Sequence, residues 1–162
     1  MRDYHAPLGP LVTVITIGVS AALLVAALAL LRLAADRPWM VLPAAACVAI
    51  LVWAALFAPL RYRVDEHAFV IERPSGKLVL PLRTLRDVAP FVRPPGLTLG
   101  LWRNGGLFGI YGIFWNRRLG WFHAYGRRVR PAVALTFADR RVIVMPDDTD
   151  GFIADLRARI AR

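Results

Sequence analysis

The chain has one cysteine, three histidines and two long stretches without a single charged residue. Each scarcity removes a class of answer. A lone thiol, Cys47, forbids an intramolecular disulfide and gives a cysteine-based zinc site nothing to build on. His5, His67 and His123 are far apart, and none sits in an HExxH pattern or beside a cysteine, so no metal site is expected. His123, between Phe122 and Ala124, reads as a surface or packed residue. No GxSxG marks a nucleophile, and neither GxxxxGK(S/T) nor a strand-to-helix GxGxxG marks a nucleotide loop. Internal repeats and low-complexity tracts are lacking as well. No catalytic or cofactor-binding residue is therefore assigned, and the chain is not expected to be an enzyme.

What is present begins with the two uncharged stretches. Pro10 to Leu31 and Trp39 to Leu60 each run twenty-two residues, and the second stops at Arg61-Tyr62-Arg63. As a helix, such a run is about 33 Å long, matching a hydrocarbon core of about 30 Å. Only six residues, Arg32 to Arg37, lie between them, with Pro38 set to open the second helix, so the helices return antiparallel as a transmembrane hairpin over residues 1–60. Residues 1–9 read as a short polar start. A cleaved signal peptide ending before Asp36 is the competing reading of the first run, but an apolar signal core is normally about 7–15 residues. Gly18, Ala22 and Ala26 on one helix and Ala45, Ala49, Ala54 and Ala58 on the other are expected to let the backbones approach. No ionisable side chain falls inside either span, which argues against an ion path. Trp39, Tyr62 and Trp53 are candidates for interfacial aromatics.

The basic residues near the spans set an orientation. The link carries Arg32 and Arg37, whereas the other side carries Arg2, Arg61, Arg63, Arg73 and Lys77, so both termini are expected in the cytoplasm and the protein in the cell membrane. From Arg61 onward there are 18 Lys and Arg against 9 Asp and Glu, a net of +9. Held at a bilayer, that charge suits anionic headgroups or acidic partners, and it is equally a solubility device.

After Leu60 the pattern turns to short punctuated runs. Tyr62-Arg63-Val64-Asp65 alternates as a strand, and Phe69–Glu72 and Leu78–Leu80 flank a Pro/Gly turn, a β-hairpin. Leu82, Leu85 and Val88, at three-residue spacing, read as a helical turn or bend. From Pro94 to Gly112 glycine recurs too often to favour a helix or a long strand. The aromatics there, Trp102, Phe108 and Tyr111 among them, either dip into the membrane interface or close one end of a β-core. Trp121–Tyr125, Val133–Phe137 and Val142–Met145 read as a further β-meander. Asp147, Asp148 and Asp150 stand where a helix N-terminus favours acids, ahead of an amphipathic closing helix with Phe152, Ile153, Leu156 and Ile160 on one face.

Two apolar helices followed by Tyr62-Arg63-Val64-Asp65, the hairpin through Leu80, the run Trp115 to Tyr125, and Met145-Pro146-Asp147-Asp148 leading to Phe152 and Leu156, resemble the bacterial pleckstrin-homology (PH)-like domain proteins. The resemblance covers roughly Arg61 to Arg162, residues 61–162 being the expected domain. It implies an α+β protein whose domain is a mostly antiparallel, partly open β-barrel or sandwich of two nearly orthogonal sheets, capped by the C-terminal helix. The family is not known for catalysis, and it carries over no ligand-binding residues. The expected role is a membrane-anchored module that binds anionic lipid or a protein partner through Arg117, Arg118, Arg127, Arg128 and Arg130. The alternative is an accessory or scaffold subunit of a larger membrane transporter or enzyme complex. Expected partners are membrane lipids, and another membrane protein or a second copy of the chain. Nucleic acid is not expected.

Overall fold

A computed structural model describes residues 2–92 and 98–160 and, of Trp102 and Arg103, the backbone alone. Pro10 opens α1 (Pro10–Leu33), where its missing N–H has no helical acceptor in any case. The residue before it, Gly9, has no room for a side chain, since a Cβ there would stand 2.7 Å from the Cβ of Arg128. Arg32 lies in the last turn of α1, the end whose dipole favours a cation. A short link and a single 3-10 turn (Pro38–Met40) lead into α2 (Val41–Phe57), which packs beside α1. The second helix ends earlier than its apolar run, because Pro59 drives Ala58 into extended backbone (φ −66°, ψ 130°).

α1, and α2 taken together with the 3-10 turn from Pro38, are long and apolar enough to cross a membrane by length and composition. Their sides are largely bare. Val12 and Ala27 are the buried residues of α1, and Ala44 and Ala54 those of α2, while Val14, Ile17, Val25, Leu28 and Leu42 are mostly exposed. The small residues expected at the helix contact divide accordingly. Ala54 and Ala58 are buried, but Gly18, Ala22 and Ala26 on α1, and Ala45 and Ala49 on α2, face outward.

The polar start is a strand. β1 (Arg2–His5) pairs antiparallel with β2 (Arg61–Val64), Arg2 opposite Val64 and His5 opposite Arg61. Tyr4 and Ala6 are buried, so the globular unit begins before the helices and resumes after them. Asp3 accepts from Arg63 Nε at 2.9 Å, and that hydrogen bond holds its carboxyl below the usual carboxylate range. β3 (Ala68–Arg73) and β4 (Gly76–Pro81) form the expected hairpin and complete a four-stranded sheet in the order β1-β2-β3-β4.

Pro81 has no N–H to extend the ladder, and a 3-10 turn (Leu82–Thr84) re-aims the chain into β5 (Leu85–Pro90) of a second sheet. Of the helical turn or bend expected at Leu82, Leu85 and Val88, the turn is present at Leu82, but Leu85 and Val88 lie in a strand. A register shift between Leu85 and Asp87 inserts an extra residue, so two positions three apart are both buried. The second sheet has six strands: β5, β6 (Thr98–Gly105), β7 (Ile110–Asn116), β8 (Gly120–Gly126), β9 (Val133–Phe137) and β10 (Arg141–Val144), in the order β5-β9-β10-β8-β7-β6. Here the expected meander is corrected, because β10 runs parallel to β8 and separates it from β9. The glycine-rich region is corrected too. Its Gly100 and Gly112 lie within the β6–β7 ladder, opposite Phe114 and Arg103, Gly100 at a register shift and Gly112 at φ +136°. Pro94 and Gly96 lie outside the described residues.

Neither sheet closes on the other, so the architecture is α+β with two open sheets and a C-terminal helix, α3 (Thr149–Ile160), in place of a closed barrel. Phe152, Ile153 and Leu156 of α3 enter the main core with residues of both sheets. Tyr62, expected at a membrane border, is instead fully buried there. Its hydroxyl donates to Tyr125 O at 2.7 Å and accepts the Met145 N–H, bonding the first sheet to the second. Tyr4 meets Phe152 edge-on at 5.0 Å, which fixes β1 to α3. The acids ahead of α3 divide their roles. Asp148 caps the helix by accepting the Gly151 N–H, whereas Asp147 exchanges two hydrogen bonds with the backbone of His5.

Candidate functional site

The four last carbonyls of a helix have no partner within it. At the end of α2 the β-rich unit supplies partners. Ala54 O accepts the Tyr111 hydroxyl of β7 at 2.7 Å, and Leu56 O accepts the Ser75 N–H of the β3–β4 turn at 2.9 Å. The Arg73 guanidinium lies over the Phe57 ring, 5.8 Å from its centre, placing a cation at the negative end of the helix. At the start of α1, the Gly9 N–H donates to Arg127 O at 2.8 Å.

The β6–β7 turn reaches further along α1. Thr16 Oγ1 donates to Gly106 O at 3.2 Å and accepts the Phe108 N–H at 2.9 Å. Gly106 has φ +143°, and a Cβ there would stand 3.0 Å from Ile15 Cδ1; Phe108 has φ 60°. Asn104 organises the turn. Its side-chain nitrogen donates to Leu107 O and to the Tyr111 hydroxyl, each at 2.8 Å, while its oxygen accepts the Leu107 N–H. Phe108 and Tyr111, expected as interfacial aromatics, are therefore half-buried against the helices. The side chain of Trp102 lies outside the described residues.

The five candidate arginines flank one strand, β8, at its two ends. Arg117 and Arg118 are exposed on the β7–β8 turn, and Arg127, Arg128 and Arg130 follow the opposite end of β8, a strand about 23 Å long. Arg128 Nη2 donates to Pro146 O and, at 3.4 Å, to Asp147 O, so it serves as an internal tie. Arg127 Nε donates to Phe108 O at 3.3 Å, and burial pushes its pKa down. Arg130 is exposed and makes no ion pair or hydrogen bond among the described residues. Two cationic sets result: Arg117 with Arg118 at one end, and Arg130, with the partly buried Arg127, beside the start of α1.

A family model described as Bacterial PH domain matches residues 60–160. The chain belongs to the bacterial PH domain family. No curated protein and no solved structure matches it. The matched segment of this PH domain holds β2 through α3, so the edge strand β1, which precedes both helices in the chain, lies outside it.

Among the described residues, no three His, Cys, Asp or Glu side chains come close enough to hold a metal ion. Burial pushes the His123 pKa down, which favours the neutral ring. The PH domain instead offers two apolar hollows. One of about 550 Å³ lies between α2 and the β6–β7 turn, lined by Ile50, Trp53, Leu107 and Tyr111. The other, of about 430 Å³, lies on the second sheet near Leu11 and Arg130. Sequence reasoning missed Thr16 and Asn104, the two side chains that fasten the turn. A hydroxyl within an apolar run was the available signal at Thr16.

Replacing Tyr111 by Phe is expected to lower stability by about 1 kcal/mol, the net value of a typical hydrogen bond. Thr16→Val leaves the Phe108 N–H without an acceptor and is expected to cost about 1–3 kcal/mol. Unfolding of the full chain in mild detergent measures both. Unchanged midpoints in the two variants would show that the turn is not held by these bonds.

Proposed function

We propose that this protein is a non-enzymatic, membrane-anchored PH module, fixed by α1 and α2 at the cytoplasmic face of the cell membrane, where its basic side chains meet anionic lipid. The observation that carries the reading is the uncovered apolar side of two membrane-length helices whose outer ends are bonded into a basic domain. Water would leave those exposed leucines and valines costly, whereas hydrocarbon accommodates them. Pairing of β1 with β2 supports a same-side placement of the two helix ends. The distribution of arginine supports the cytoplasm as that side: Arg2, Arg61, Arg63, Arg73 and Lys77 against Arg32 and Arg37 in the link.

A second reading, an accessory subunit of a larger membrane complex, draws on the outward face of Gly18, Ala22 and Ala26 and on the hollow beside Ile50 and Trp53. Recovery of a stoichiometric membrane partner from mild detergent would favour it over the first.

Two measurements test the leading reading. Added to the full chain in detergent, phosphatidylglycerol is expected to raise the unfolding temperature more than phosphatidylcholine does. That difference should shrink as salt approaches about 1 M, where screening reaches about 3 Å. Equal shifts for the two lipids contradict the electrostatic role. For orientation, an impermeant maleimide applied to intact cells in a Cys47→Ser background is expected to label Ala35→Cys and to leave Ser75→Cys untouched. The reverse pattern overturns the cytoplasmic placement.

A further inference from the structure

The six-stranded sheet has two apolar faces. Val133, Leu135, Val142 and Val144 point into the main core, whereas Phe114, Phe122, Ala124 and Ile143 belong to a second cluster on the opposite face. Phe114 and Phe122 are stacked at 5.6 Å, and Phe91 lies beside Phe122 at 6.3 Å. These residues line the hollow of about 430 Å³, a volume in the range of small-molecule sites. Its lining includes Leu11, the second residue of α1, and Arg130. Leu11 is 57% exposed, so the hollow is continuous with the bare apolar side of the helix. No acidic residue lines it, and the Arg130 guanidinium has no counter-ion among the described residues. An apolar slot that opens on the flank of a membrane-length helix, with one unpaired cation among its lining residues, matches a molecule with a long apolar chain and an anionic head.

We propose that this groove takes one acyl chain of an anionic membrane phospholipid, with the headgroup phosphate at Arg130. The assignment rests on the reading of α1 and α2 as membrane spans, since it is the continuity with α1 that selects a bilayer lipid over a soluble fatty acid. The chain lies along Phe114, Phe122 and Ile143, and the second acyl chain stays in the leaflet beside α1. Phe114 and Phe122 are already shielded from water, so insertion is favoured by packing of the acyl chain against the lining side chains, and Arg130 selects the charge of the head.

The test uses the full chain in nanodiscs of phosphatidylglycerol carrying a diazirine in one acyl chain, irradiated and mapped by peptide mass spectrometry. Label is expected on the peptides holding Phe114, Phe122 and Ile143 as well as on α1 and α2. Ala124→Trp, which fills the groove, should lower the groove label several-fold relative to the helix label. Arg130→Gln, an exposed change that leaves the fold alone, should lower it likewise, and phosphatidylcholine with the same diazirine should label the groove less. Label confined to the two helices, whether the groove is empty or covered by a second copy of the chain, overturns the groove assignment and leaves the anchoring intact. Label missing from the helices contradicts the anchoring itself. Equal groove labelling by the two lipids, or by the Arg130→Gln variant, overturns the role of Arg130.

Discussion

Hydrogen bonds between β1 and β2 join two segments separated by the whole of α1 and α2. Closing so long a loop would carry an entropic cost that grows with its length, but the intervening chain is not a flexible loop. Two helices packed side by side return the chain to where it left, within roughly the 8–10 Å of an interhelical distance. The remaining gap is taken up by Ala6 to Gly9 and Ala58 to Leu60, and the Ala6 N–H donates to Leu60 O to prolong the ladder. The helix pair thus preorganises the sheet, and the sheet in turn fixes the helix pair. Tyr4, Tyr62 and Phe152 turn that constraint into a core, since the first comes from before the helices and the others from after them.

The same logic governs the helix ends. Carbonyls at the end of α2 that water would otherwise hydrate are taken by Tyr111 and Ser75, and Thr16 takes two backbone groups of the β6–β7 turn. On the proposed membrane reading these bonds sit where the dielectric falls, so an unpaired group there is more costly than at an ordinary surface. The turn is thereby bonded to α1 through Thr16, and β7 to α2 through Tyr111. Arg127 and Arg128 contribute to this joint through backbone carbonyls, whereas Arg130 is exposed and without a partner among the described residues.

Much of the fold was legible because it obeys local rules. Uncharged runs bounded by proline and arginine marked α1 and α2, the Pro74–Gly76 turn marked the β3–β4 hairpin, and an acid-led amphipathic stretch marked α3. The run Trp115–Tyr125 and the Pro146-Asp147 ending pointed to the family that the match to residues 60–160 shows. What escaped was set by distant partners. β1 has only four residues, three of them Arg, Asp and His, and becomes a strand because β2 and Phe152 await it. Leu85 and Val88 imitated a helical spacing because a bulge adds one residue to a period of two. At the candidate site, charge was readable but its use was not, since nothing local says that Arg128 meets Pro146 O while Arg130 has no ion pair or hydrogen bond among the described residues.

Hydrogen exchange over residues 2–6 of the full chain, embedded in a bilayer, tests the central constraint most directly. The account requires the Tyr4 and Ala6 amides, which face β2, to be protected to the same degree as those of Tyr62 and Val64 in the same ladder. Exchange at the rate of free chain, with β2 still protected, would mean that the segment before α1 is no part of the sheet.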